Sequence, residues 1–233
     1  MDEALGIVVL VAAVAAVVGL AFYWAWKYER NRTEAFRGVA EELGFAFSAE
    51  PSGTADRFGG LRIFSQGHSK RVRNQLSGAG ESAEVSLFDY SYTVGSGKNK
   101  TKHSQTVVCL ESPELELPQF ELRPEHFFHR IGGVFGYQDI DFGDFPEFSR
   151  KYLLRGPDEP AIRSVFDAAV VSHVEGLDRV CLEGGGRQLV FYRHAKRVRA
   201  EELRPLLEEA FGVFAVLRGS RESLESRRVI ARS

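Results

Sequence analysis

The chain has 233 residues, enough for one domain or two small ones. Hydrophobic residues make up 44% of it and charged residues 27%, which is ordinary for a globular protein. The formal net charge of -2 gives no basic excess, so nucleic-acid binding is not expected. Cys109 and Cys181 each lie in an apolar, β-forming run, which predicts buried side chains rather than a disulfide framework or a zinc site.

The N-terminal segment from Leu5 to Trp26, LGIVVLVAAVAAVVGLAFYWAW, carries no charge. A helix of this length reaches about 33 Å, which is enough to cross the hydrocarbon core of a bilayer. The alternative is a cleaved signal peptide, but Asp2 and Glu3 stand where a signal peptide would carry positive charge. The sequence therefore predicts a lipid-bilayer anchor.

The C-terminal flank of this segment sets the expected orientation of the anchor. Aromatic residues suited to a membrane interface come first, and basic residues follow: Phe22, Tyr23, Trp24, Trp26, Tyr28, Lys27, Arg30, Arg32 and Arg37. Positive charge on this side predicts that the N-terminus lies outside and that the remainder is cytoplasmic. Ala15 and Gly19 form a small-xxx-small pair through which two anchors would pack as a homodimer.

A juxtamembrane helix is expected next, because apolar residues recur at helical spacing from Phe36 to Leu43 and Gly44 suits a helix stop. Short candidate strands follow in FAFSA, LRIFSQG and RVRNQLSG. The clearest strand is AEVSLFDYSYTV, in which Val85, Leu87 and Asp89 face one way and their neighbours face the other. Its expected partner is TKHSQTVVCLE, and QFELR is a further strand.

The glycine-rich loop at Gly95-Ser96-Gly97-Lys98 lies between those two partner strands. A phosphate-binding P-loop needs a glycine five positions before Gly97 and a Ser or Thr after Lys98, and it opens a helix. Tyr92 and Asn99 occupy those two positions and a strand follows, so the loop is predicted to be a hairpin tip that binds no nucleotide.

The second half predicts strand, helix, strand, strand, helix. KYLLRG is a strand, DEPAIRSVFDAAVVSHV is one helix with Asp158 as its N-cap, and RVCLE and RQLVFYR flank a glycine hairpin. The last helix is expected from about Ala200 to Leu217. The predicted fold class is α+β: an N-terminal transmembrane helix, then a mainly antiparallel sheet with two amphipathic helices packed on it. The expected units are an anchor (1–30), a juxtamembrane helix (31–44), a β-rich subdomain (45–156), an α/β subdomain (157–218) and a flexible tail (219–233).

The stretch LFDYSYTVGSGKNKTKHSQTVV, together with LPQFELRPEHFFHRIG, DIDFGDFPEFSRKYLLRGPDEPAIRSVF and EGGGRQLVFYR, resembles a family of uncharacterised bacterial proteins. Members have one N-terminal membrane span and a soluble domain of unknown function. The resemblance extends from about Gly44 to Leu217. It implies a single-pass protein of the bacterial inner membrane, and it transfers no catalytic residue, metal or cofactor.

Three groups of side chains are candidates for chemistry. His126 and His129 would share a helix face and could hold a metal, although Glu125 is their one nearby carboxylate and HEXXH spacing is absent. Asp139 and Asp141 lie on one side of a strand, where an acidic solvated edge competes with a cation or acid–base site.

Asp89 lies in the middle of its strand. If it is buried it needs a hydrogen-bonding partner, for which the facing strand offers Gln105 or His103. The structural reading is a polar pair, and the catalytic reading is an active-site carboxylate.

The part of the chain that follows the anchor contains three clusters of basic residues, and at least two of them lie near predicted hairpin ends. In a tethered domain each basic residue near anionic headgroups contributes about 1 kcal/mol, so these clusters are expected to face the membrane, with the acidic stretches turned to the cytosol. The residues expected to contact the membrane surface are Lys70, Arg71, Arg73, Lys98, Lys100, Lys102, Arg193, Lys196, Arg197 and Arg199.

The sequence thus favours a membrane-tethered cytoplasmic domain that binds a partner protein or the membrane surface, without catalysis, cofactor or metal. The alternative is a hydrolase built on an acid–base cluster of Asp89, His103, His126, His129, Asp139 and Asp141. Convergence of these side chains in one pocket would distinguish the two.

Overall fold

The computed structural model describes residues 2–80, 82–125 and 139–230. It begins with α1 (Asp2–Leu43), an unbroken helix of 42 residues, so the predicted anchor and juxtamembrane helix are one element. At 1.5 Å per residue α1 is about 63 Å long. It is long and apolar enough near the N-terminus to cross a membrane. Large apolar side chains of the predicted anchor, such as Leu10, Val17 and Trp24, are exposed on its surface.

Within the described residues, eight strands form one sheet in the order β1-β2-β3-β4-β8-β7-β5-β6, and every neighbouring pair is antiparallel. The strands are β1 (Ala46–Ser48), β2 (His68–Ala79), β3 (Glu84–Val94), β4 (Thr101–Glu111), β5 (Leu117–Pro124), β6 (Tyr152–Arg155), β7 (Cys181–Gly186) and β8 (Gln188–Tyr192). This architecture confirms the predicted α+β class. The glycine-rich loop after Val94 joins β3 to β4, so it is the hairpin tip that the sequence predicts.

The helices that follow α1 differ from the sequence prediction in three places. They are α2 (Thr54–Arg57), α3 (Arg62–Ser65), α4 (Pro146–Lys151), α5 (Glu159–Val165), α6 (Ala168–Glu175) and α7 (Leu203–Ile230). LRIFSQG is not a strand: it forms α3, whose Ile63 and Phe64 are buried. The helix predicted from Asp158 is two helices, because Phe166 leaves helical geometry and Asp167 caps α6 by accepting from two backbone N–H groups. Where a loose tail is expected, α7 continues to Ile230, and buried Ser220 donates to the Val165 carbonyl at 2.9 Å.

Both faces of the sheet are covered by apolar side chains. One layer packs the C-terminal half of α1, through Phe36 and Ala40, together with α4–α7 against the sheet. The other layer lies beneath α2 and α3, where Phe64 meets the Tyr90 ring with centroids 5.0 Å apart. Strands β7 and β8, from the predicted 157–218 subdomain, lie in this same sheet between β4 and β5.

Because Phe36 and Ala40 are fully buried, we expect the C-terminal part of α1 to be needed for folding. A fragment of residues 28–233 keeps this part, and a fragment of residues 45–233 lacks it. Loss of a buried phenylalanine alone costs about 3–5 kcal/mol, so the shorter fragment should be less stable by at least that amount. Urea unfolding followed by circular dichroism measures the difference, and equal stability of the two fragments would show that α1 is dispensable for the core.

Candidate functional site

A buried ion pair joins α1 to the sheet. Arg32 donates from Nε to Asp89 Oδ2 and from Nη2 to Asp89 Oδ1, both at 2.7 Å. The same guanidinium donates to the Val198 carbonyl at 2.7 Å and lies over the Phe36 ring at 4.4 Å. Both partners are buried, so the pair is a fork-like, charge-assisted contact shielded from water.

Further side chains complete this contact. Glu29 accepts from both terminal nitrogens of Arg197, at 2.7 and 3.0 Å, and Arg197 also donates to Asp89 at 3.1 Å. Asn74 donates to Asp89 at 3.2 Å and accepts from the Thr33 hydroxyl at 2.8 Å. We call Glu29, Arg32, Asn74, Asp89 and Arg197 the helix–sheet junction.

The position of Asn74 depends on an irregularity in β2. The register between β2 and β3 shifts between Arg73 and Leu76, and Asn74 has a φ of 52°. Asparagine tolerates this left-handed conformation better than most residues, and a bulge of this kind redirects a side chain. Here the bulge aims Asn74 at α1 and at Asp89.

Asp89 carries its charge in a buried position. Burial raises the pKa of its carboxyl, but the hydrogen bonds and charges of Arg32 and Arg197 lower the pKa more, so the net shift is downward. Asp89 is therefore held as an anion by its guanidinium partners. The partners that the sequence suggested, Gln105 and His103, do not contact it: Gln105 is opposite Tyr90 and His103 is opposite Tyr92, and both lie on the other face of the sheet.

The direction of α1 determines at which end of the sheet its apolar N-terminal part extends beyond the strands. Residue 32 lies at the level of Asp89, whereas the chain just after the helix places Phe45 against Gly78, near the opposite end of β2. From Arg32 toward its N-terminus, α1 therefore runs toward the end of the sheet that contains the β3–β4 turn. We call this the hairpin end, and we call the opposite end, with the β7–β8 turn, the far end.

All three predicted basic clusters lie in the half of the sheet toward the hairpin end. Lys70 and Arg71 precede Arg73 in β2, whose first residue, His68, is opposite Thr93. Lys98 and Lys100 lie in the β3–β4 turn, and Lys102 is the second residue of β4, opposite Thr93. The segment from Arg193 to Arg199 runs beside the first half of β4, where the Thr106 N–H donates to the Lys196 carbonyl at 3.0 Å.

Within this end, the basic residues divide into two groups. Six of them form ion pairs inside the domain: Arg71, Arg73, Arg193, Lys196, Arg197 and Arg199. The other four are exposed and form no ion pair with any residue that the structure describes: Lys70, Lys98, Lys100 and Lys102, called here the hairpin lysines.

Acidic residues collect at the far end. Glu84 is opposite Glu111 where β3 and β4 meet that end, and Glu114 and Glu116 follow in the next turn. Arg57 contacts both Glu84 and Glu111. Glu114 and Glu116 are paired in the same way, with Arg218 and Arg221. The carboxylates of the far end are therefore matched by arginines, whereas the hairpin lysines have no carboxylate partner among the residues that the structure describes.

The predicted acid–base cluster does not converge among the described residues. Asp89 faces α1, whereas His103 stacks on Tyr92 on the opposite face, with ring centroids 5.2 Å apart. Asp139 is exposed, and its Oδ1 accepts from the backbone N–H of Leu154 in β6 at 3.1 Å. It therefore lies apart from Asp89 in β3 and His103 in β4. His126 and His129 lie outside the described residues, and Asp141 is exposed.

His103 has an unforeseen neighbour in His194, with ring centroids 4.9 Å apart. Burial, with His103 and Arg123 acting in the same direction, lowers the pKa of His194 to about 4. Burial, again with Arg123, also lowers the pKa of His103. The two imidazoles are therefore held neutral beside a guanidinium. No group of three or more metal-ligating side chains occurs in the described part of the chain.

No protein-family model and no curated protein matches the sequence. Among solved structures, the chain is similar to the crystal structure of the mycobacterial trehalose monomycolate transport factor A, TtfA. The TM-score is 0.60 and the sequence identity is 12%, over 81% of this chain and 96% of that chain. At this identity the similarity shows a shared fold.

The helix–sheet junction can be tested with two arginines of the same helix. Arg32→Met leaves the buried Asp89 carboxylate with Arg197 as its one remaining guanidinium, so we expect a loss of about 3–5 kcal/mol in unfolding free energy. Arg37→Met is the control: Arg37 is exposed, 3.8 Å from Glu34, and we expect a loss below about 1 kcal/mol. Denaturant unfolding of both variants measures this, and similar losses would mean that the junction does not stabilise the fold.

Proposed function

We propose that the chain is a membrane-tethered, non-catalytic binding domain, and that its hairpin lysines contact anionic headgroups of the membrane that α1 spans. The observation that carries this proposal is that the hairpin lysines, which form no ion pair within the described part of the chain, lie at the end of the sheet past which α1 extends. Because the helix–sheet junction fixes the sheet on α1, the same end faces the membrane in every molecule.

The reach of the hairpin supports this proposal. From Asp89 to Val94, β3 extends about 17 Å toward the hairpin end. From Arg32 back to Trp26, the end of the apolar span, α1 covers about 9 Å. The strand therefore reaches about twice as far as the polar part of the helix, and even an inclined strand brings Lys98 and Lys100 to the level of the headgroups.

The distribution of charge favours the same orientation. Each lysine near an anionic surface contributes about 1 kcal/mol, and the four hairpin lysines act together. The carboxylates at the far end point away from the membrane in this arrangement, so they do not oppose the attraction.

The neighbouring structure agrees with a role of this kind. TtfA is described as a trehalose monomycolate transport factor. For the present chain we propose a similar accessory role beside the membrane. With the basic flank of the anchor inside, the N-terminus lies outside and the domain lies in the cytoplasm, at the inner membrane of a bacterium.

A hydrolase is the rival function, and the geometry of the described residues speaks against it. Asp89 is neutralised by two arginines, and His103 lies on the opposite face of the sheet. An acid–base pair must meet within hydrogen-bond reach of one substrate, which these two side chains cannot do.

The orientation can be measured in full-length protein in nanodiscs. Cys109 and Cys181 are buried, so a fluorophore can be placed at Ser96→Cys in the hairpin tip or at Arg187→Cys in the β7–β8 turn. With spin-labelled headgroups as quencher, we expect strong quenching at residue 96 and little at residue 187. Anionic lipid should increase the quenching at residue 96, and salt should reverse that increase as the screening length falls from about 10 Å at 0.1 M to about 3 Å at 1 M.

A charge-matched pair of variants serves as the control. Lys98→Ser with Lys100→Ser should reduce the increase caused by anionic lipid strongly, because two of the four hairpin lysines are lost, whereas Arg57→Ser with Arg187→Ser removes the same charge at the far end and should preserve it. Quenching that is equal at residues 96 and 187, or equally sensitive to both pairs, would contradict the proposal.

A further inference from the structure

A polar pocket of about 100 Å³ lies beside α1, on the face of the sheet that the helix covers. Glu29 of α1 forms one wall, and the rest comes from β2, β3, β4 and the segment after β8. A buried water needs about 10–15 Å³ of such space, so the pocket has room for a group of several heavy atoms.

Two serine hydroxyls line this pocket without a hydrogen-bond partner in the described part of the chain. Ser91 in β3 is opposite Ser104 in β4, so their Cβ atoms lie about 5 Å apart on one face of the sheet. Both residues are partly exposed, so their hydroxyls stay open to a ligand. Two hydroxyl donors side by side suit a ligand that carries several acceptor oxygens.

A lysine lies next to the serine pair. Lys102 is two residues before Ser104 in β4, and side chains two apart in a strand share a face. Its ammonium forms no ion pair with any residue that the structure describes. Arg71 and Arg73 also line the pocket, and both are paired with Glu50. The groups that the pocket offers to an anion are therefore two hydroxyls and one ammonium.

The carboxylates at the pocket are held by arginines. Glu29 accepts from both terminal nitrogens of Arg197, and this hydrogen bonding holds the pKa of Glu29 below its ordinary value. Asp89 accepts from Arg32 as well as from Arg197. Because these charges offset one another, an anion beside Lys102 meets no unmatched carboxylate in the pocket wall.

The pocket lies at the depth of the headgroups when α1 spans a bilayer. Glu29 follows Trp26, the last residue of the apolar span, by three residues, or about 4.5 Å along the helix. The polar region on each side of the hydrocarbon core is roughly 5–8 Å thick. Lipid phosphates therefore lie at the level of this pocket.

We propose that this pocket binds a terminal phosphate group, either of a lipid such as phosphatidic acid or of a soluble phosphate ester. Its three terminal oxygens accept from the Ser91 hydroxyl, the Ser104 hydroxyl and the Lys102 ammonium. A phosphodiester and a carboxylate each offer two free oxygens, so three donors favour the phosphate monoester. The lipid form of this proposal rests on the proposed function, because it needs the hairpin end to face the membrane.

Two binding experiments on full-length protein distinguish the sources of the phosphate. In detergent, native mass spectrometry should show one phosphatidic acid retained per chain, about tenfold or more in preference to phosphatidylglycerol, a phosphodiester. In phosphatidylcholine nanodiscs, calorimetry with glycerol 3-phosphate should show binding only if a soluble ester is the ligand, with glycerate, a carboxylate, as the control. Binding in either experiment supports the pocket, and failure in both overturns it.

The residues are tested with variants that separate the pocket from general attraction to charge. Ser91→Ala with Ser104→Ala removes both hydroxyls but no charge, and it should weaken phosphate binding about tenfold or more. Lys102→Gln should do the same. Lys70→Gln is the matched control, because it removes the same charge at the hairpin end but outside the pocket, and it should keep the preference for phosphate.

The proposal is also overturned if the phosphodiester or carboxylate control binds as well as its phosphate monoester counterpart, or if Lys102→Gln and Lys70→Gln have equal effects. Quenching at residue 96 keeps this proposal apart from the proposed function. In Ser91→Ala with Ser104→Ala, anionic lipid should still increase that quenching, because the variant retains all four hairpin lysines.

Discussion

The ion pair between Arg32 and Asp89 is the contact on which the arrangement of this molecule depends. It joins a helix that is long and apolar enough to cross a membrane to β3, an inner strand of the eight-stranded sheet, and both side chains are buried. Separating two such charges leaves each without compensation in low dielectric, so the helix cannot swing away from the sheet without a large penalty. The direction of α1 therefore decides which end of the sheet lies beside the apolar part of the helix.

Much of the fold could be predicted because local patterns encode it. The alternation in AEVSLFDYSYTV places Leu87 and Asp89 on one face and Tyr90 on the other, and the structure has β3 in that arrangement. The order of the strands in the sheet could not be predicted in this way. Nothing near β7 or β8 indicates that they insert between β4 and β5, because that pairing joins segments far apart in the chain. The four-residue helix α3 could not be predicted either, because a single helical turn is too short to show the periodic spacing of apolar residues that identifies a helix.

For the candidate site, the sequence locates charge but not its partners. It shows where the basic clusters lie along the chain, yet only the fold shows that Arg73 and Arg197 are engaged with carboxylates. Lys98 and Lys100 have no such partner among the residues that the structure describes. The sequence places Arg32 in the positive flank of the anchor, because the positive-inside rule counts charges without regard to the helix face on which they lie. Its position four residues before Phe36 puts it on the buried face of α1, which is a signal the sequence does contain. The polar pocket beside α1 has no such signal, since its walls come from α1, β2, β3, β4 and the segment after β8.

A single distance measurement tests most directly whether helix and sheet are one rigid body. Spin labels at Tyr28→Cys on α1 and at Arg187→Cys at the far end would report the distance between them in full-length protein, in detergent and in nanodiscs, by pulsed electron paramagnetic resonance. If the helix–sheet junction holds the domain as described, the distance distribution is narrow and the same in both environments, and it broadens in Arg32→Met. A broad distribution in the wild-type protein would contradict the account, because the hairpin end would then have no fixed relation to the membrane.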